Sequence, residues 1–221
     1  MSSIAMPAPD PRILSRAPQI VAALRAVLPG DAVISDPEET RAYECDALTA
    51  YRCAPLAVVL PRSTAEVAAA MRVCHELGVP VVPRGAGTSL AGGALPTADS
   101  VVIGTMRLRD MLEIDTENRF IRVQTGVTNL SVSAELEPLG FFYAPDPSSQ
   151  LACTIAGNIA MNSGGAHCLK YGVTTNNVLG VTIPGVDGRY LVDVGFGGQT
   201  LSSPIRLEAG PVQDTRHEPY R

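Results

Sequence analysis

The sequence predicts an α+β fold with two small lobes. The stretch from Pro55 to Val82 has a strand–helix–strand pattern, which is typical of a parallel βαβ crossover. Two short runs, Leu112–Asp115 and Phe120–Gln124, predict an antiparallel hairpin that turns at Thr116–Arg119. The length of 221 residues is enough for one domain or one and a half. We therefore expect one lobe with a small parallel sheet and a second lobe with a mixed or antiparallel sheet.

The first lobe contains two predicted helices. Apolar residues with helical spacing predict a helix over Gln19–Leu28, which Pro29-Gly30 ends. Ser63 is predicted to cap the second helix, with Glu66 at N3 in a capping-box pattern. Gly78 is predicted to end that helix at a C′ position. The predicted strands of this lobe are Pro55–Leu60, Val79–Val82 and Val101–Thr105.

The second lobe continues after the hairpin with two further predicted helices and a strand. Thr128 or Asn129 is predicted to cap a helix that ends at Pro138-Leu139-Gly140. A short helix is predicted over Thr154–Met161, and a strand over Val178–Ile183.

Composition excludes several classes of function and site. A net charge of −5 argues against binding to nucleic acids or to a membrane surface, which needs a basic face. Five cysteines without a C-x-x-C pair indicate reduced thiols rather than a disulfide framework or a zinc site. No run approaches the ~18 apolar residues of a membrane span, and residues 1–17 lack a signal-peptide core. We expect a disordered lead over 1–17 and a cytoplasmic protein that contacts the inner membrane only through partner subunits.

The most informative motif is Val79–Pro96, which reads VPVVPRGAGTSLAGGALP. A loop with so many small residues turns tightly and brings backbone N–H groups close to a phosphate, and Arg84 adds a cation. The loop lacks the Gly-Lys-Ser/Thr of a P-loop, and Leu90 stands where G-x-G-x-x-G needs its third glycine. Taken alone, the motif fits an ordinary glycine-rich turn equally well.

A second glycine-rich block, Ala144–Gly172, reads APDPSSQLACTIAGNIAMNSGGAHCLKYG. Two such loops suit one long ligand with a pyrophosphate in its middle and a ring system at one end. Asp146 stands between two prolines in a stiff, extended backbone, although a plain turn carboxylate is the alternative. Asn158 and Asn162 are four residues apart and share a face if the segment is helical, although local capping is the alternative.

On these motifs the sequence resembles the FAD-linked oxidases related to vanillyl-alcohol oxidase, which have a PCMH-type FAD-binding domain. Within that group it is most similar to the D subunit of bacterial glycolate oxidase and to D-lactate dehydrogenases. The resemblance runs from about Leu28 to about Ile183 and implies a two-lobed α+β fold with the flavin between the lobes. The matching segments are Tyr43–Asp46, Arg84–Pro96, Ala144–Gln150, Gly157-Asn158 and His167–Gly172.

The resemblance also implies which residues contact FAD, and it implies no catalytic residue and no metal ligand in this chain. Those implied around the pyrophosphate and ribityl chain are Arg84, Gly85, Ala86, Gly87, Thr88, Ser89 and Gly92. Those implied along the flavin are Pro145, Asp146, Ser148, Ser149, Gly157, Asn158, Asn162, Gly164, Gly165 and Tyr171.

The histidines indicate non-covalent FAD, because none lies in the Arg84–Gly93 loop where one common covalent link would stand. His167 matches the flavin-facing motif, and we expect it to have a structural rather than a catalytic role. The segment Tyr43–Asp46, with Tyr51 and Arg52, is only a weak signal for the edge of the cofactor.

From about Pro184 the sequence departs from this family. Residues 184–221 lack the closing Gly-Ser-Glu-Gly-Thr-Leu-Gly-Ile type motif and the cap domain that the family carries. They resemble arylamine N-acetyltransferases, and Asp193 matches the aspartate of the Cys-His-Asp triad. The nucleophile and histidine segments of that family are absent upstream, so we interpret Asp193 as a strand-end carboxylate. A further hypothesis is that Tyr190–Val194 forms a hairpin with Val178–Ile183.

The function implied for residues 18–183 is the FAD-binding portion of a flavin-dependent 2-hydroxy-acid oxidoreductase of the glycolate or D-lactate type. Without a cap domain the FAD-binding fold is C-terminally incomplete, and we expect little or no turnover by this chain alone. The expected partners are FAD and other subunits of an oxidase complex, with a small 2-hydroxy acid only where a cap domain is supplied. The alternatives are a non-catalytic flavin-binding or scaffold subunit and, more remotely, a fragment related to arylamine N-acetyltransferase.

Overall fold

The computed structural model describes residues 6–185, 187–188, 191–195 and 205–207. The chain divides into two compact units, in agreement with the two predicted lobes. The first unit comprises Met1–Thr105 and Val186–Arg189, and the second comprises Met106–Gly185 and Tyr190–Arg221.

The first unit contains a four-stranded sheet in the order β1-β2-β4-β3. Strands β2, β4 and β3 are parallel, and β1 pairs with β2 in the antiparallel direction. The predicted crossover is therefore parallel, but β4 lies between its two strands. Every residue of β4 is buried, whereas β3 is partly exposed at the edge. The strands are β1 (Val33–Ile34), β2 (Ala57–Val59), β3 (Val81–Arg84) and β4 (Val101–Gly104).

The helices of the first unit are α1 (Pro11–Leu14), α2 (Ala17–Val27), α3 (Pro37–Thr40) and α4 (Thr64–Leu77). The predicted start of α4 is confirmed, since the Ser63 hydroxyl accepts a hydrogen bond from the Glu66 N–H at 3.2 Å. The Glu66 carboxylate accepts from the Arg62 N–H at 2.8 Å, one residue before the cap. Gly78 ends the helix in the left-handed region, with φ 65°.

The prediction of a disordered lead over 1–17 is wrong for the residues that form α1. The Asp10 carboxylate caps this helix, and proline follows at its first position. Ile13 is only 6% exposed and belongs to the core of the unit, which gives the segment a reason to be ordered. Residues 1–5 lie outside the described part of the chain. The buried core residues are Ile13, Ile20, Leu24, Leu28, Ala32, Val33, Ala57, Val59, Ala70, Cys74, Val79, Val101 and Ile103.

The second unit contains a five-stranded sheet in the order β5-β6-β9-β7-β8. The predicted hairpin is confirmed by the antiparallel pairing of β5 with β6, and the hairpin hypothesis for the tail by that of β7 with β8. Strand β9 was not predicted, and it pairs in parallel with both β6 and β7. The strands are β5 (Met111–Asp115), β6 (Phe120–Val123), β7 (Val178–Pro184), β8 (Leu191–Gly195) and β9 (Ile205–Leu207).

The helices of the second unit are α5 (Asn129–Leu136), α6 (Ile155–Met161) and α7 (Cys168–Tyr171). Of the two predicted caps of α5, the structure selects Thr128. Thr154, predicted as the first residue of the next helix, caps α6 with its side chain. The turn after α5 ends at Gly140, which has φ 77°. The core residues of this unit are Ile121, Val123, Val127, Val132, Leu136, Tyr143 and Ile155. Across the described ranges of both units, no helix combines the length and the hydropathy needed to cross a membrane.

Candidate functional site

The glycine-rich loop of the first unit follows directly from strand β3. Gly87 and Gly92 have φ angles of 71° and 74°, a left-handed conformation that favours glycine. No hydrogen bond among the described residues uses the backbone N–H groups of Gly85–Thr88 as donors. A run of small residues with unused N–H groups can accept an anion, as the sequence predicted for this loop.

Arg84, at the start of this loop, is turned toward the protein. Its Nη1 atom donates to the Cys45 carbonyl at 2.7 Å and to the Ala94 carbonyl at 3.5 Å. The guanidinium carbon lies 5.7 Å from the centre of the Tyr43 ring. Desolvation lowers the pKa of Arg84, although nearby Cys45, Asp46 and Tyr43 act in the opposite direction. The sequence suggested that Arg84 supplies a cation to the phosphate, whereas in the structure its Nη1 atom donates to backbone carbonyls.

The segment Tyr43–Asp46, predicted for the edge of the cofactor, and the residue after it contact this loop. The Asp46 carboxylate is 4% exposed and accepts from the Gly92 N–H at 3.0 Å and the Leu48 N–H at 2.8 Å. The Ala47 N–H donates to the Ser89 carbonyl at 3.1 Å. Asp46 was not among the predicted site residues. The sequence pattern of a glycine-rich loop does not indicate which carboxylate, far away in the chain, will accept hydrogen bonds from its N–H groups.

In the second unit, the N-termini of α5 and α6 are joined backbone to backbone. Thr128 and Thr154, the two capping residues, form an antiparallel bridge. The Asn129 N–H donates to the Cys153 carbonyl at 3.0 Å. The buried Asn129 side chain donates to the Pro145 carbonyl at 2.9 Å and so fixes the start of the predicted Pro145–Ser149 segment. Asn129 is a further site residue that sequence reasoning treated only as a helix cap.

Asp146 connects the Pro145–Ser149 segment with the glycines that follow α6. Its carboxylate accepts from the His167 backbone N–H at 3.2 Å and pairs with the His167 Nδ1 atom at 2.6 Å. Burial raises the pKa of Asp146, but the hydrogen bonds and the charge of His167 outweigh burial and leave the pKa lowered. A Cβ atom at Gly165 would lie 1.9 Å from the Asp146 carbonyl oxygen, so only glycine fits there.

Asn158 is the predicted residue whose surroundings point most directly to a ligand. It lies in α6, is 1% exposed, and its Nδ2 atom has no hydrogen-bond partner among the described residues. The carbonyl of Thr125 accepts from the Ala156 N–H, whereas its buried hydroxyl finds no partner within the described part of the chain. Buried polar atoms without partners are costly, and a ligand that bonds to them removes that cost.

The remaining predicted residues of the second unit have more local contacts. Asn162 is the C-cap of α6, with φ 47°, and therefore does not share a helix face with Asn158. Its side-chain oxygen accepts a hydrogen bond from the Thr175 N–H at 3.0 Å.

The other predicted residues of this unit also have local contacts. The Gly157 N–H donates to the hydroxyl of Thr154, which caps α6. The Tyr171 ring packs edge-on against the Phe142 ring, with 5.8 Å between the ring centres. Ser148 is exposed, and Ser149 and Gly164 are half-buried.

The described residues therefore contain unused backbone donors in the first unit and buried, unpartnered side-chain donors in the second. The backbone donors suit a phosphate, and the side-chain donors suit a carbonyl or ring-nitrogen acceptor. Across the described ranges, no group of three or more His, Cys, Asp or Glu side chains could hold a metal ion. All five cysteines are free.

Comparison with known proteins agrees with this chemistry. The chain is 48% identical to the glycolate oxidase subunit GlcD of Escherichia coli K12 over 84% of its own length and 36% of that protein. It is 33% identical to a D-lactate dehydrogenase of Anaerostipes hadrus over 75% of its length and 35% of that protein. The chain thus spans about a third of the length of these relatives.

A separate, short likeness concerns a different family. A stretch of 47 residues, 21% of the chain, is 85% identical to the arylamine N-acetyltransferase of Mycolicibacterium smegmatis and covers 17% of that protein. The predicted resemblance to this second family is thereby confirmed.

The fold and the family follow from two further comparisons. The structure of p-cresol methylhydroxylase matches 93% of the chain with a TM-score of 0.70 at 19% identity, which confirms the PCMH-type fold. The family model described as an FAD-binding domain matches residues 55–192. The chain therefore belongs to the FAD-binding domain family of the FAD-linked oxidases and is a homologue of glycolate oxidase GlcD and the D-lactate dehydrogenases.

Proposed function

We propose that this chain holds FAD non-covalently, with the pyrophosphate on the backbone N–H groups of Gly85–Thr88. The run of unused N–H groups in that loop carries the proposal, since an anion needs several converging donors. The flavin is assigned to the Asp146 segment and the segment from Gly157 to Gly165. There, the buried Nδ2 atom of Asn158 supplies a donor for a ring acceptor.

The proposed reaction is oxidation of a small 2-hydroxy acid of the glycolate or D-lactate type. The support is the similarity to glycolate oxidase subunit GlcD and to D-lactate dehydrogenase, whose names give those substrates. FAD supplies the redox chemistry by accepting a hydride from the α-carbon. The residues of this chain bind and orient the cofactor, and none of the described residues is assigned as a catalytic acid or base.

The proposal includes partners and a compartment. Because GlcD is named as a subunit of glycolate oxidase, we assign this chain to an assembly with other oxidase subunits. We assign it to the cytoplasm because its five cysteines are unpaired, with any contact to the inner membrane made by partner subunits.

The first test is the visible absorbance of the purified full-length chain, before and after reconstitution with FAD. We expect flavin absorption that survives gel filtration, and flavin that is released into the supernatant after acid precipitation. Absence of flavin after reconstitution would overturn the proposal. Flavin that stays with the precipitated protein would overturn the non-covalent attachment alone.

The second test is anaerobic addition of glycolate or D-lactate to the flavin-loaded chain, with L-lactate as the matched control. Bleaching by a D-2-hydroxy acid or glycolate supports oxidoreductase chemistry. Flavin that binds but does not bleach would contradict turnover by this chain and favour a non-catalytic flavin-binding or scaffold subunit.

A second candidate function rests on the 47-residue stretch that resembles arylamine N-acetyltransferase. Asp193, which matches the triad aspartate, lies in strand β8 with its backbone paired to Thr182. The sequence offers no matching nucleophile or histidine segment. We expect no acetyl-CoA-dependent acetylation of an arylamine, and measurable acetylation would contradict that expectation.

A further inference from the structure

Arg84 occupies the position where the sequence suggests a phosphate-binding cation, yet its Nη1 atom donates to backbone carbonyls. Its guanidinium lies beneath the loop, since a Cβ atom at Gly87 would be 2.4 Å from Nη2. The same group donates to the Cys45 carbonyl at 2.7 Å. Because Cys45 is 39 residues earlier in the chain, this contact fastens the loop to a separate segment.

Asp46 connects the same two segments through hydrogen bonds in which its carboxylate is the acceptor. Its carboxylate, 4% exposed, accepts the Gly92 N–H at the far end of the loop and the Leu48 N–H of its own segment. The Ala47 N–H also donates to the Ser89 carbonyl. Hydrogen bonds thus join the start, middle and end of the loop to Cys45–Leu48.

We propose that Arg84 and Asp46 are positioning residues that set the shape of the phosphate-binding loop, and that Arg84 does not itself bind the pyrophosphate. The inference rests on the proposed FAD site. The loop then binds phosphate through its backbone N–H groups, and the arginine acts through the geometry of those groups. A lysine would keep the charge but lacks the planar group that donates to carbonyls while stacking on Tyr43.

The test compares Arg84→Lys with Arg84→Met in the full chain. The matched control is Arg62→Lys, an exposed arginine of the same unit that pairs with Asp31. FAD affinity is measured by quenching of flavin fluorescence at low and high salt. We expect both Arg84 variants to bind FAD about tenfold more weakly, with the lysine no better than the methionine. We expect the salt dependence of FAD affinity to stay as in the unchanged chain, because no charge that contacts phosphate has been removed.

A second readout needs no FAD and reports the loop itself. Hydrogen exchange of the Gly92 and Ala47 N–H groups is measured in the ligand-free chain, in Arg84→Lys and in Asp46→Asn. We expect faster exchange in both variants and unchanged exchange in α4, which separates loosening of the loop from unfolding of the unit.

The outcomes separate this inference from the proposed function. Two results would overturn the positioning role and assign Arg84 to the phosphate. One is an unchanged FAD affinity in Arg84→Lys, and the other is a weaker salt dependence of FAD affinity in Arg84→Met. Unchanged exchange at Gly92 in both variants would also overturn it. Failure of the unchanged chain to bind FAD would overturn the proposed site, and the exchange measurement would still decide whether these residues shape the loop.

Discussion

The glycine-rich loop of the first unit and the glycine-rich block Ala144–Gly172 of the second unit are held in different ways. In the first, the half-buried Arg84 side chain donates to the carbonyl of Cys45, 39 positions earlier in the chain. The buried Asp46 carboxylate accepts from the N–H of Gly92, 46 positions later. In the second, the contact between Asp146 and His167 lies near the surface, with the His167 side chain 67% exposed and that of Asp146 20% exposed. Exposed pairs contribute little, so we infer that close packing of Gly165 against Asp146 does more to fix the second segment.

The substitution Gly165→Ala should break the second segment most severely. Its Cβ atom would lie 1.9 Å from a backbone oxygen, which cannot rotate away as the end of a side chain can. We expect loss of FAD binding and a fall in the free energy of unfolding of about 3 kcal/mol, measured by FAD titration and urea unfolding. Gly30→Ala is the control, because nothing lies within 4 Å of its added Cβ. Normal FAD binding by Gly165→Ala would show that the close contact does not fix this segment.

The substitution Gly87→Val tests the first loop in the same way. Its side chain would displace the Arg84 guanidinium and would also occupy a positive φ of 71°, which costs about 1–2 kcal/mol for a branched residue. We expect the variant to purify without flavin. Retained yellow flavin would refute the assignment of this loop to the pyrophosphate.

The substitution Asn158→Leu separates the cofactor role of a residue from its structural role. Leucine has the same number of side-chain heavy atoms and the same branching, and it removes the unpartnered buried Nδ2 atom, so the ligand-free chain should be equally or more stable, by up to about 1 kcal/mol. FAD affinity should fall about tenfold. Thermal unfolding without FAD measures the change in stability, and FAD titration measures the change in affinity. A loss of stability with unchanged FAD affinity would make Asn158 a structural residue only.

The smallest expected effect concerns the acid dependence of the second unit. The pKa of Asp146 is lowered in the folded chain, so its bonds to His167 contribute stability above the ordinary carboxyl pKa of about 3.9. That contribution is lost as the pH falls through the lower folded-state pKa. Asp146→Asn should therefore unfold with a shallower pH dependence below about pH 4, as measured by urea unfolding at several pH values. An unchanged pH profile would mean that the exposed pair contributes nothing measurable.

Much of the local structure could be predicted because its signals lie within a few residues. Ser63, Thr128 and Thr154 each cap a helix through a hydroxyl that bonds an N–H three residues later. Gly78 ends α4 because a left-handed residue is needed there. Asn162 illustrates the limit of such reasoning, since helical spacing to Asn158 suggested a shared face, whereas the helix had already ended.

Parts of the candidate site could not be predicted from local patterns. Asn129 and Thr125 carry no binding motif, and the match of Tyr43–Asp46 did not show that Asp46 bonds to the loop. These roles depend on the groups that the fold places beside each side chain. The glycine loop itself was predicted with its residues, but the partner of Arg84 was not. A guanidinium can donate to a carbonyl or to a phosphate, and which of them it meets depends on what the fold brings near.

Local patterns were enough to predict the α+β class, most helix ends, the hairpins and the two glycine-rich segments, because periodicity, capping and turn chemistry act between near neighbours. Long-range packing places β4 between β2 and β3 and places β9 between β6 and β7. It also decided that Arg84 bonds to Cys45. These outcomes depend on burial and pairing between segments far apart in the chain, where many strands are chemically equivalent partners and packing alone selects one.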